Sequence, residues 1–192
     1  MGNRLSKITT RTGDDGSTGL GDGSRLPKTD LRFDAMGVVD GLNAQLGLLQ
    51  AYVMDSNPSI VHQISVIQHK LFNIGGEIAL PNHADIGYIA ITPDDITTLE
   101  QWTDTHNDGL PYLKEFILPA GSVATAQTHI ARATCRDAER VLLRLAARDG
   151  NINRQSTQYL NRLSDYLFVL ARVIARMDGG SEVLWQADLK PV

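Results

Sequence analysis

The stretch SVATAQTHIARATCRDAERVLLRLAAR, residues 122–148, has the spacing of one long α-helix, and the rest of the chain is interpreted around it. Arginines recur at every fourth position. They are Arg132, Arg136, Arg140, Arg144 and Arg148. Because a four-residue step turns about 400° on an α-helix, the guanidinium groups form one stripe that drifts slowly around the axis. The apolar residues predicted to face the core beside this stripe are Ile130, Ala133, Val141, Leu142 and Leu145.

The arginine stripe carries more positive charge than nearby acids can balance. Asp137 and Glu139 are the only acids in residues 122–148, whereas a solvated helix surface usually alternates its cations with acids one turn away. The surplus indicates an anionic partner, because guanidinium groups bind phosphate and carboxylate in a bidentate manner. A solvated basic face is the alternative, and this stretch alone does not distinguish the two.

Helical spacing of apolar residues predicts four further helices. Their approximate ranges are 31–54, 58–80, 93–108 and 153–178. Start signals at Asn57-Pro58 and Thr92-Pro93 support two of them. The pair Gly75-Gly76 indicates close packing or a kink. Because the connections are short and no region is rich in strand signals, the sequence predicts an all-α fold, a five-helix bundle.

The chain has the size and composition of one globular domain, with 192 residues of which 42% are hydrophobic. We expect a single domain over 1–192. It divides into a glycine-rich N-terminal loop over 1–31, the helical bundle over 32–180 and a loose tail over 181–192. The N-terminal part is predicted to be a loop with a short extended start at Ile8 to Thr10.

The overall charge argues against general binding to nucleic acid or to a membrane surface, since the net charge is −4. No apolar run reaches membrane-spanning length, and the first residues lack the apolar core of a secretory signal. Cys135 is the single cysteine, so a disulfide within the chain is excluded and a cytoplasmic location is expected. Cys135 lies between two arginines that can lower its pKa, although a small buried filler is the alternative.

Hydrolytic and thiol chemistry have little support in the sequence. The five histidines form neither an HExxH pattern nor the ExxH pair of a di-iron bundle. A GxSxG nucleophile elbow is missing, and Cys135 has no identifiable partner base. The sequence therefore indicates binding chemistry rather than a protein nucleophile.

The glycine-rich N-terminal loop has the composition of a phosphate cradle. Glycines permit the backbone turns that aim N–H groups inward, and neighbouring hydroxyl groups and cations add donors and charge. Asp14 and Asp15 repel bare phosphate, so a bound Mg²⁺ is one way to reconcile them with it. The loop lacks the Walker pattern and a strand–helix context. A disordered leader is the alternative.

Six motifs in the same order resemble the PduO-type corrinoid adenosyltransferases. They are TRTGDDGSTGL at 10–20, RLPK at 25–28, VVDGLNAQLG at 38–47, FILPAGS at 116–122, HIARATCRDAER at 129–140 and YLNRLSDYLFVLAR at 159–172. The resemblance covers most of the chain and weakens over 56–110 and in the tail. It implies a five-helix bundle assembled as a homotrimer, with active sites between subunits.

The resemblance also implies an activity, the transfer of the 5′-deoxyadenosyl group of ATP to the cobalt of cob(I)alamin with release of triphosphate. ATP, Mg²⁺ held by its phosphates and the corrinoid are the expected ligands. A cobalt reductase and an adenosylcobalamin-dependent client enzyme are the expected partners. The alternative is a non-catalytic oligomeric carrier or sensor of ATP or adenosylcobalamin. An ordinary phosphotransferase is a third possibility, which lacks kinase signatures here.

The family pattern implies roles for particular residues of this sequence. Those wrapping the triphosphate are Thr10, Arg11, Thr12, Gly13, Asp14, Asp15, Gly16, Ser17, Thr18 and Lys28. Those holding the nucleotide from the helices are Arg136, Glu139, Arg140 and Asn161. Arg132 is expected to pair with Asp40 of a neighbouring subunit and shape the corrinoid site, where Phe116 keeps the lower axial ligand off cobalt. Arg132, Arg136, Phe116 and Asp40 are the predicted catalytic residues. Arg144 and Arg148 match no functional position, and we expect them in solvent or at an interface.

Overall fold

The five predicted helices are present in the computed structural model, which describes residues 9–55 and 57–189. The helices are α1 (Leu31–Val53), α2 (Pro58–Ala79), α3 (Pro93–Asp108), α4 (Val123–Asp149) and α5 (Arg154–Met177). Two short strands precede them, β1 (Ser17–Gly19) and β2 (Arg25–Pro27). The all-α bundle predicted from the sequence is confirmed.

The helix ends lie close to their predicted positions because local side chains cap them. The Asn57 side chain accepts hydrogen bonds from the N–H groups of the first turn of α2. Thr92 and Asp95 form a reciprocal capping box at the start of α3. Gly150 ends α4 in the left-handed conformation, with φ of 69°.

Helix α4 lies at the centre of the bundle, packed against both α1 and α5, while α1 also packs on α2 and α3 packs on α5. The buried face of α4 is built largely from small residues, which include Ala131, Cys135 and Ala138. Small side chains let neighbouring helices approach closely.

This packing corrects part of the predicted core face. Val141, Leu142 and Leu145 are buried as predicted, but Ile130 is 51% exposed and Ala133 is also exposed. The prediction was wrong at these two positions because the buried face follows the three- and four-residue repeat through Ala131, Cys135 and Ala138, and Ile130 and Ala133 lie off that face. The predicted close packing is confirmed at Gly76, where a Cβ would lie 2.6 Å from the Tyr88 hydroxyl oxygen, but not at Gly75, where a Cβ would meet no atom within 4 Å.

Residues 17–27 of the predicted N-terminal loop form a small antiparallel hairpin, whereas residues 9–16 contain neither helix nor strand. Strands β1 and β2 pair with Thr18 opposite Leu26. The turn between them is closed by Asp22, whose carboxylate accepts from the N–H of Ser24 at 2.9 Å, and by Gly23 with φ of 88°. Strands of three residues are too short to show alternation in the sequence. Ile8, the first residue of the predicted extended start, lies outside the described residues.

The predicted loose tail is also wrong over its first part. The backbone N–H of Leu118 donates to the carbonyl of Val183 at 2.7 Å, and the N–H of Trp185 donates to the carbonyl of Phe116 at 2.8 Å. The carboxylate of Glu182 is buried between Arg172 and Arg176. Residues 182–185 are therefore docked on the bundle by ion pairs with side chains of α5.

Arg148 closes a group of charges that joins the end of α4 to the start of α1. Its guanidinium donates to both carboxylate oxygens of Asp30 at 3.0 Å and also contacts Asp149, which binds Arg32. Asp30 is the N-cap of α1. The arginine expected in solvent or at an interface is thus paired within its own chain.

Replacing Arg148 with methionine tests this charge group. Hydrogen bonds from Arg148 are the largest cause lowering the pKa of both Asp30 and Asp149 below the ordinary value of 3.8. A carboxyl whose folded pKa is lowered stabilises the fold above its ordinary pKa, and this contribution is lost as pH falls through the folded pKa. Arg148 is partly exposed and solvent screens it, so Arg148→Met is expected to lower the free energy of unfolding by about 0.5–1 kcal/mol at pH 7.

The difference from wild type is expected to shrink as the pH falls below about 3.8, which urea unfolding at several pH values measures. Arg144→Met is the matched control, because Arg144 is exposed on the same helix and makes no ion pair within the described chain. An equal loss in both variants, or a loss independent of pH, would contradict the assignment.

Candidate active site

The glycine-rich loop has a defined conformation held by its own polar groups. The carboxylate of Asp15 accepts from the backbone N–H of Ser17 at 2.9 Å and from its hydroxyl at 2.8 Å. The backbone hydrogen bond from Ser17 is the largest cause that lowers the pKa of Asp15. Gly16 has φ of 83°, and its carbonyl accepts from the N–H of Lys28 at 2.8 Å. Asp15 therefore fixes the turn that enters β1, and Gly16 joins this turn to Lys28, the residue after β2.

Lys28 lies directly against this loop. A Cβ atom added to Gly13 would come within 3.2 Å of the Lys28 ammonium nitrogen and 3.1 Å of the Ser17 carbonyl. The missing side chain at Gly13 makes room for the ammonium group. The structure thus brings together the two parts of the sequence that were predicted to hold phosphate, although their role stays a prediction.

Arg25 organises the loop and was missed by sequence analysis. Its guanidinium donates to the carbonyl of Thr12 at 2.5 Å and to the hydroxyl of Ser17 at 2.7 Å. The hydroxyls of Thr10 and Thr12 are 3.0 Å apart. Arg25 belongs to the quoted RLPK motif, so the motif contained the signal. Its bonds to Thr12 and Ser17 depend on the hairpin, which the sequence pattern did not reveal.

A cleft of about 600 Å³ brings Phe116 and Arg132 together. Phe168, from α5, lines the same cleft. Sequence analysis also missed this residue, because its position in the pattern is that of an ordinary apolar residue in a core helix. Phe116 is 79% exposed, and the Nε–H of Arg132 is buried without a partner in the described chain. Partial burial, followed by the charge of Arg136, lowers the pKa of Arg132. The cleft thus combines an exposed aromatic ring with a partly desolvated cation.

Glu139 and Asn161 meet between α4 and α5. The side-chain amide of Asn161 donates to Glu139 at 3.2 Å and accepts from Arg162 at 2.7 Å. Arg136 and Arg140, the stripe residues before and after Glu139, are both exposed, and Arg140 forms an ion pair with Asp137 at 3.0 Å. Four predicted nucleotide contacts therefore share one surface of α4 and α5. They are Arg136, Glu139, Arg140 and Asn161.

Asp40 lies apart from Arg132. It lines a groove of about 410 Å³ between α1 and α2, which Gly76 and Ala79 also line. Across residues 9–55 and 57–189, no ion pair joins Asp40 to Arg132. The predicted site residues thus form two groups. The glycine-rich loop, Lys28 and Asp40 lie on the α1–α2 side of the bundle. The cleft and the arginine stripe lie on the α4–α5 side.

Cys135 takes no part in either group. It is fully buried, and its thiol donates to the Leu160 carbonyl at 3.2 Å. Burial raises its pKa far above the ordinary value of 9.0. The alternative of a buried filler is therefore the correct one.

Within the described residues, no helix is long and apolar enough to cross a membrane.

Comparison with known proteins identifies the family. The family model described as cobalamin adenosyltransferase matches residues 8–174. A cobalamin adenosyltransferase from Cupriavidus metallidurans is 51% identical, over 98% of this chain and 98% of its own length. The chain belongs to the cobalamin adenosyltransferase family. The resemblance carried by the six motifs is confirmed.

Other members of the cobalamin adenosyltransferase family agree in sequence and in fold. Corrinoid adenosyltransferase MMAB from Homo sapiens is 36% identical over 96% of this chain and 75% of that protein. A phenylalanine-to-alanine variant of the PduO-type ATP:corrinoid adenosyltransferase from Lactobacillus reuteri, complexed with cobalamin and ATP, superposes with a TM-score of 0.88. It is 30% identical, and the match covers 94% of this chain and 99% of that one.

The hairpin is attached to the end of α2 through Gly21, and a substitution there tests this attachment. The N–H of Gly21 donates to the carbonyl of Ala79 at 2.8 Å, and a Cβ on Gly21 would lie 2.6 Å from Leu80 Cδ2 and 3.2 Å from that carbonyl. Leu80 can rotate away but the backbone carbonyl cannot. Gly21→Ala is therefore expected to lower the free energy of unfolding by about 1–2 kcal/mol, measured by urea denaturation.

Gly19→Ala is the control, since a Cβ there meets no atom closer than 3.9 Å and a change below about 0.5 kcal/mol is expected. Equal stability of the Gly21 variant and wild type would show that the hairpin is not held at this point.

Proposed function

We propose that this protein is an ATP:cob(I)alamin adenosyltransferase, which transfers the 5′-deoxyadenosyl group of ATP to the cobalt of the reduced corrinoid and releases triphosphate. The observation that carries the proposal is the presence, in a chain of this family, of both a loop suited to phosphate and a cleft lined by an aromatic ring and a cation. Solved variants of the Lactobacillus reuteri enzyme hold ATP, two of them together with cobalamin, which supports both ligands here.

The reaction assigns limited tasks to the protein. Cob(I)alamin supplies the nucleophile: its electron pair forms the Co–C5′ bond, and the pair of the breaking C5′–O bond leaves with triphosphate. The protein must align C5′ with cobalt and stabilise negative charge on the departing group. A buried, protonated Cys135 is consistent with this division, because the reaction needs no protein nucleophile.

We assign stabilisation of the triphosphate to the loop from Thr10 to Thr18, with Lys28 and the stripe residues Arg136 and Arg140. Hydroxyls, backbone N–H groups and two kinds of cation all favour phosphate oxygens. Mg²⁺ is assigned to the phosphates of ATP, with the exposed Asp14 as the protein acid available to it. Asp15 is less available, since Ser17 occupies its carboxylate.

We assign the corrinoid to the cleft lined by Phe116, Arg132 and Phe168. Two aromatic rings present an apolar surface to the flat macrocycle, and the exposed ring of Phe116 is placed to keep the lower axial ligand away from cobalt. A Co(II) centre that has lost this ligand is easier to reduce to Co(I). The cleft therefore serves the reduction that precedes transfer.

We propose a homotrimer in which each active site combines the two groups from neighbouring subunits. Asp40 of one subunit would pair with the partly desolvated Arg132 of the next, whose Nε–H has no partner within its own described chain. A carboxylate partner would offset this partial desolvation and accept from the buried Nε–H. The pairing would bring the loop of one subunit to the stripe of the other.

The proposed reaction implies two protein partners: a reductase that supplies Co(I) and an adenosylcobalamin-dependent enzyme that consumes the product. We also propose a cytoplasmic location, which the single cysteine supports.

The direct test mixes the protein with ATP, Mg²⁺ and chemically reduced cobalamin. We expect a light-sensitive Co–C product in the absorption spectrum, together with one equivalent of triphosphate. Release of diphosphate or phosphate instead would reject the proposed reaction. Retained product without turnover would indicate the carrier function.

Arg136→Ala is expected to lower kcat/KM for ATP by about 100-fold, because it removes one guanidinium contact to the departing phosphates. Helicity should be unchanged, because Arg136 is exposed and does not contribute to the core. Steady-state kinetics and circular dichroism measure the two effects. Arg144→Ala, two positions further along the stripe and also exposed, is expected to match wild type. Equal losses in both variants would reject a specific role for Arg136.

Mixing two inactive variants tests the shared site. A mixture of Asp40→Ala and Arg136→Ala subunits, refolded or coexpressed with different tags, should recover activity in about a quarter of the sites, because that fraction pairs an intact loop side with an intact stripe side. A mixture of Arg132→Ala and Arg136→Ala, which lie on the same side, should recover none. Failure of the first mixture in tag-verified mixed oligomers would place the whole site within one subunit.

A further inference from the structure

Glu182 forms a buried ion-pair group in the C-terminal part of the chain. Arg172 donates to one carboxylate oxygen at 2.7 Å, and Arg176 donates to the other at 2.5 Å. The side chains of Arg172 and Glu182 are only 5% and 6% exposed. Arg172 also donates to the carbonyl of Pro111 at 2.5 Å. One side chain of α5 thus binds both the segment that follows α3 and the segment that follows α5.

The segment that Glu182 fixes is bound to the backbone beside Phe116. Ile117 and Leu184 form an antiparallel bridge, flanked by the two hydrogen bonds that join Leu118 to Val183 and Trp185 to Phe116. Within the described chain, these are the only backbone–backbone hydrogen bonds that tie residues 111–119 to a distant segment. Residues 182–185 therefore provide the main backbone support of the Phe116 segment.

The side chain of Phe116 cannot provide this support itself. It is 79% exposed at the cleft, so packing in this chain holds little of its ring. A ring that must lie against a ligand is positioned by the backbone that carries it. Small errors in such positioning can lower a rate by about 100-fold per ångström.

We infer that Glu182 is a positioning residue for Phe116: by binding Arg172 and Arg176 it fixes residues 182–185, and these fix the backbone from which Phe116 projects into the cleft. The inference depends on the proposed function for its readout. Burial is the largest single effect on the pKa of Glu182 and raises it, but the hydrogen bonds from Arg172 and Arg176, a backbone hydrogen bond and the charge of Arg176 together outweigh burial and lower the pKa. The carboxylate is therefore charged at neutral pH and keeps both arginines in place.

Glu182→Gln tests the inference, because it keeps the shape of the side chain and removes its charge. Starting from cob(II)alamin with a limiting reductant, kcat is expected to fall on the order of tenfold. Starting from chemically prepared cob(I)alamin, kcat/KM for ATP should stay within about twofold of wild type, since the phosphate contacts are elsewhere. The electron paramagnetic resonance spectrum of bound Co(II) should show more of the form that retains its lower nitrogen ligand.

A double-mutant cycle separates positioning from general damage. If Glu182 acts through Phe116, adding Glu182→Gln to Phe116→Ala should produce no further loss beyond about twofold. Tyr166→Phe is the matched control, since it removes a buried hydrogen bond of 2.8 Å that joins α5 to Gln63 of α2 rather than to residues 182–185. It is expected to lower stability without changing the Co(II) spectrum.

A second pair of variants tests the segment if Glu182→Gln fails to fold. Trp185→Pro removes the N–H that donates to Phe116, whereas Trp185→Ala removes the same ring and keeps that N–H. Only the proline variant is expected to show the cob(II)alamin defect.

The inference is overturned if Glu182→Gln matches wild type with cob(II)alamin, if its loss multiplies with that of Phe116→Ala, or if both Trp185 variants behave alike. The wild-type and Phe116→Ala proteins distinguish this failure from failure of the proposed function. If wild type forms no adenosylcobalamin, the function itself is rejected. If wild type is active and Phe116→Ala shows the cob(II)alamin defect, only the role of Glu182 is at stake.

Discussion

The close packing of α4 against α1 and α5 is the constraint on which the rest of the structure depends. Small side chains on one face of α4 let both neighbours approach it, and this fixes which of its positions face outward. Arg132 and Arg136 are placed by that packing rather than by contacts of their own. The helix that completes the core therefore also presents the cations of the proposed site.

The sequence predicted the helices well because their signals are local. Caps at Asn57 and Thr92 and the left-handed Gly150 each act within one turn, so a short window of sequence contains them. The hairpin and the docked segment 182–185 were not predicted. Both are held by partners distant in sequence, such as Ala79 for Gly21. Ile130 was misplaced because the prediction followed its hydrophobicity, whereas its position lies off the helical repeat of residues that face the core.

The sequence predicted the parts of the candidate site that lie in recognisable motifs and missed the others. The motifs pointed to the loop and to α4, and the structure brings Lys28 to Gly13, Phe116 to Arg132 and Glu139 to Asn161. Arg25 and Phe168 could not be separated by pattern alone from an ordinary loop cation and an ordinary core aromatic residue. The proposed pairing of Asp40 with Arg132 would join two subunits, so it stays a prediction in the structure of a single chain.

The burial of Cys135 has a practical consequence. The chain contains no other thiol, and this one is shielded and protonated. A cysteine introduced on the surface will therefore be the only reactive thiol of the folded protein. Spin labels or fluorophores can thus be attached at chosen points of the loop and of α4 without first removing a native thiol. Dipolar spectroscopy or energy transfer between such labels would then measure whether copies of the chain assemble in solution.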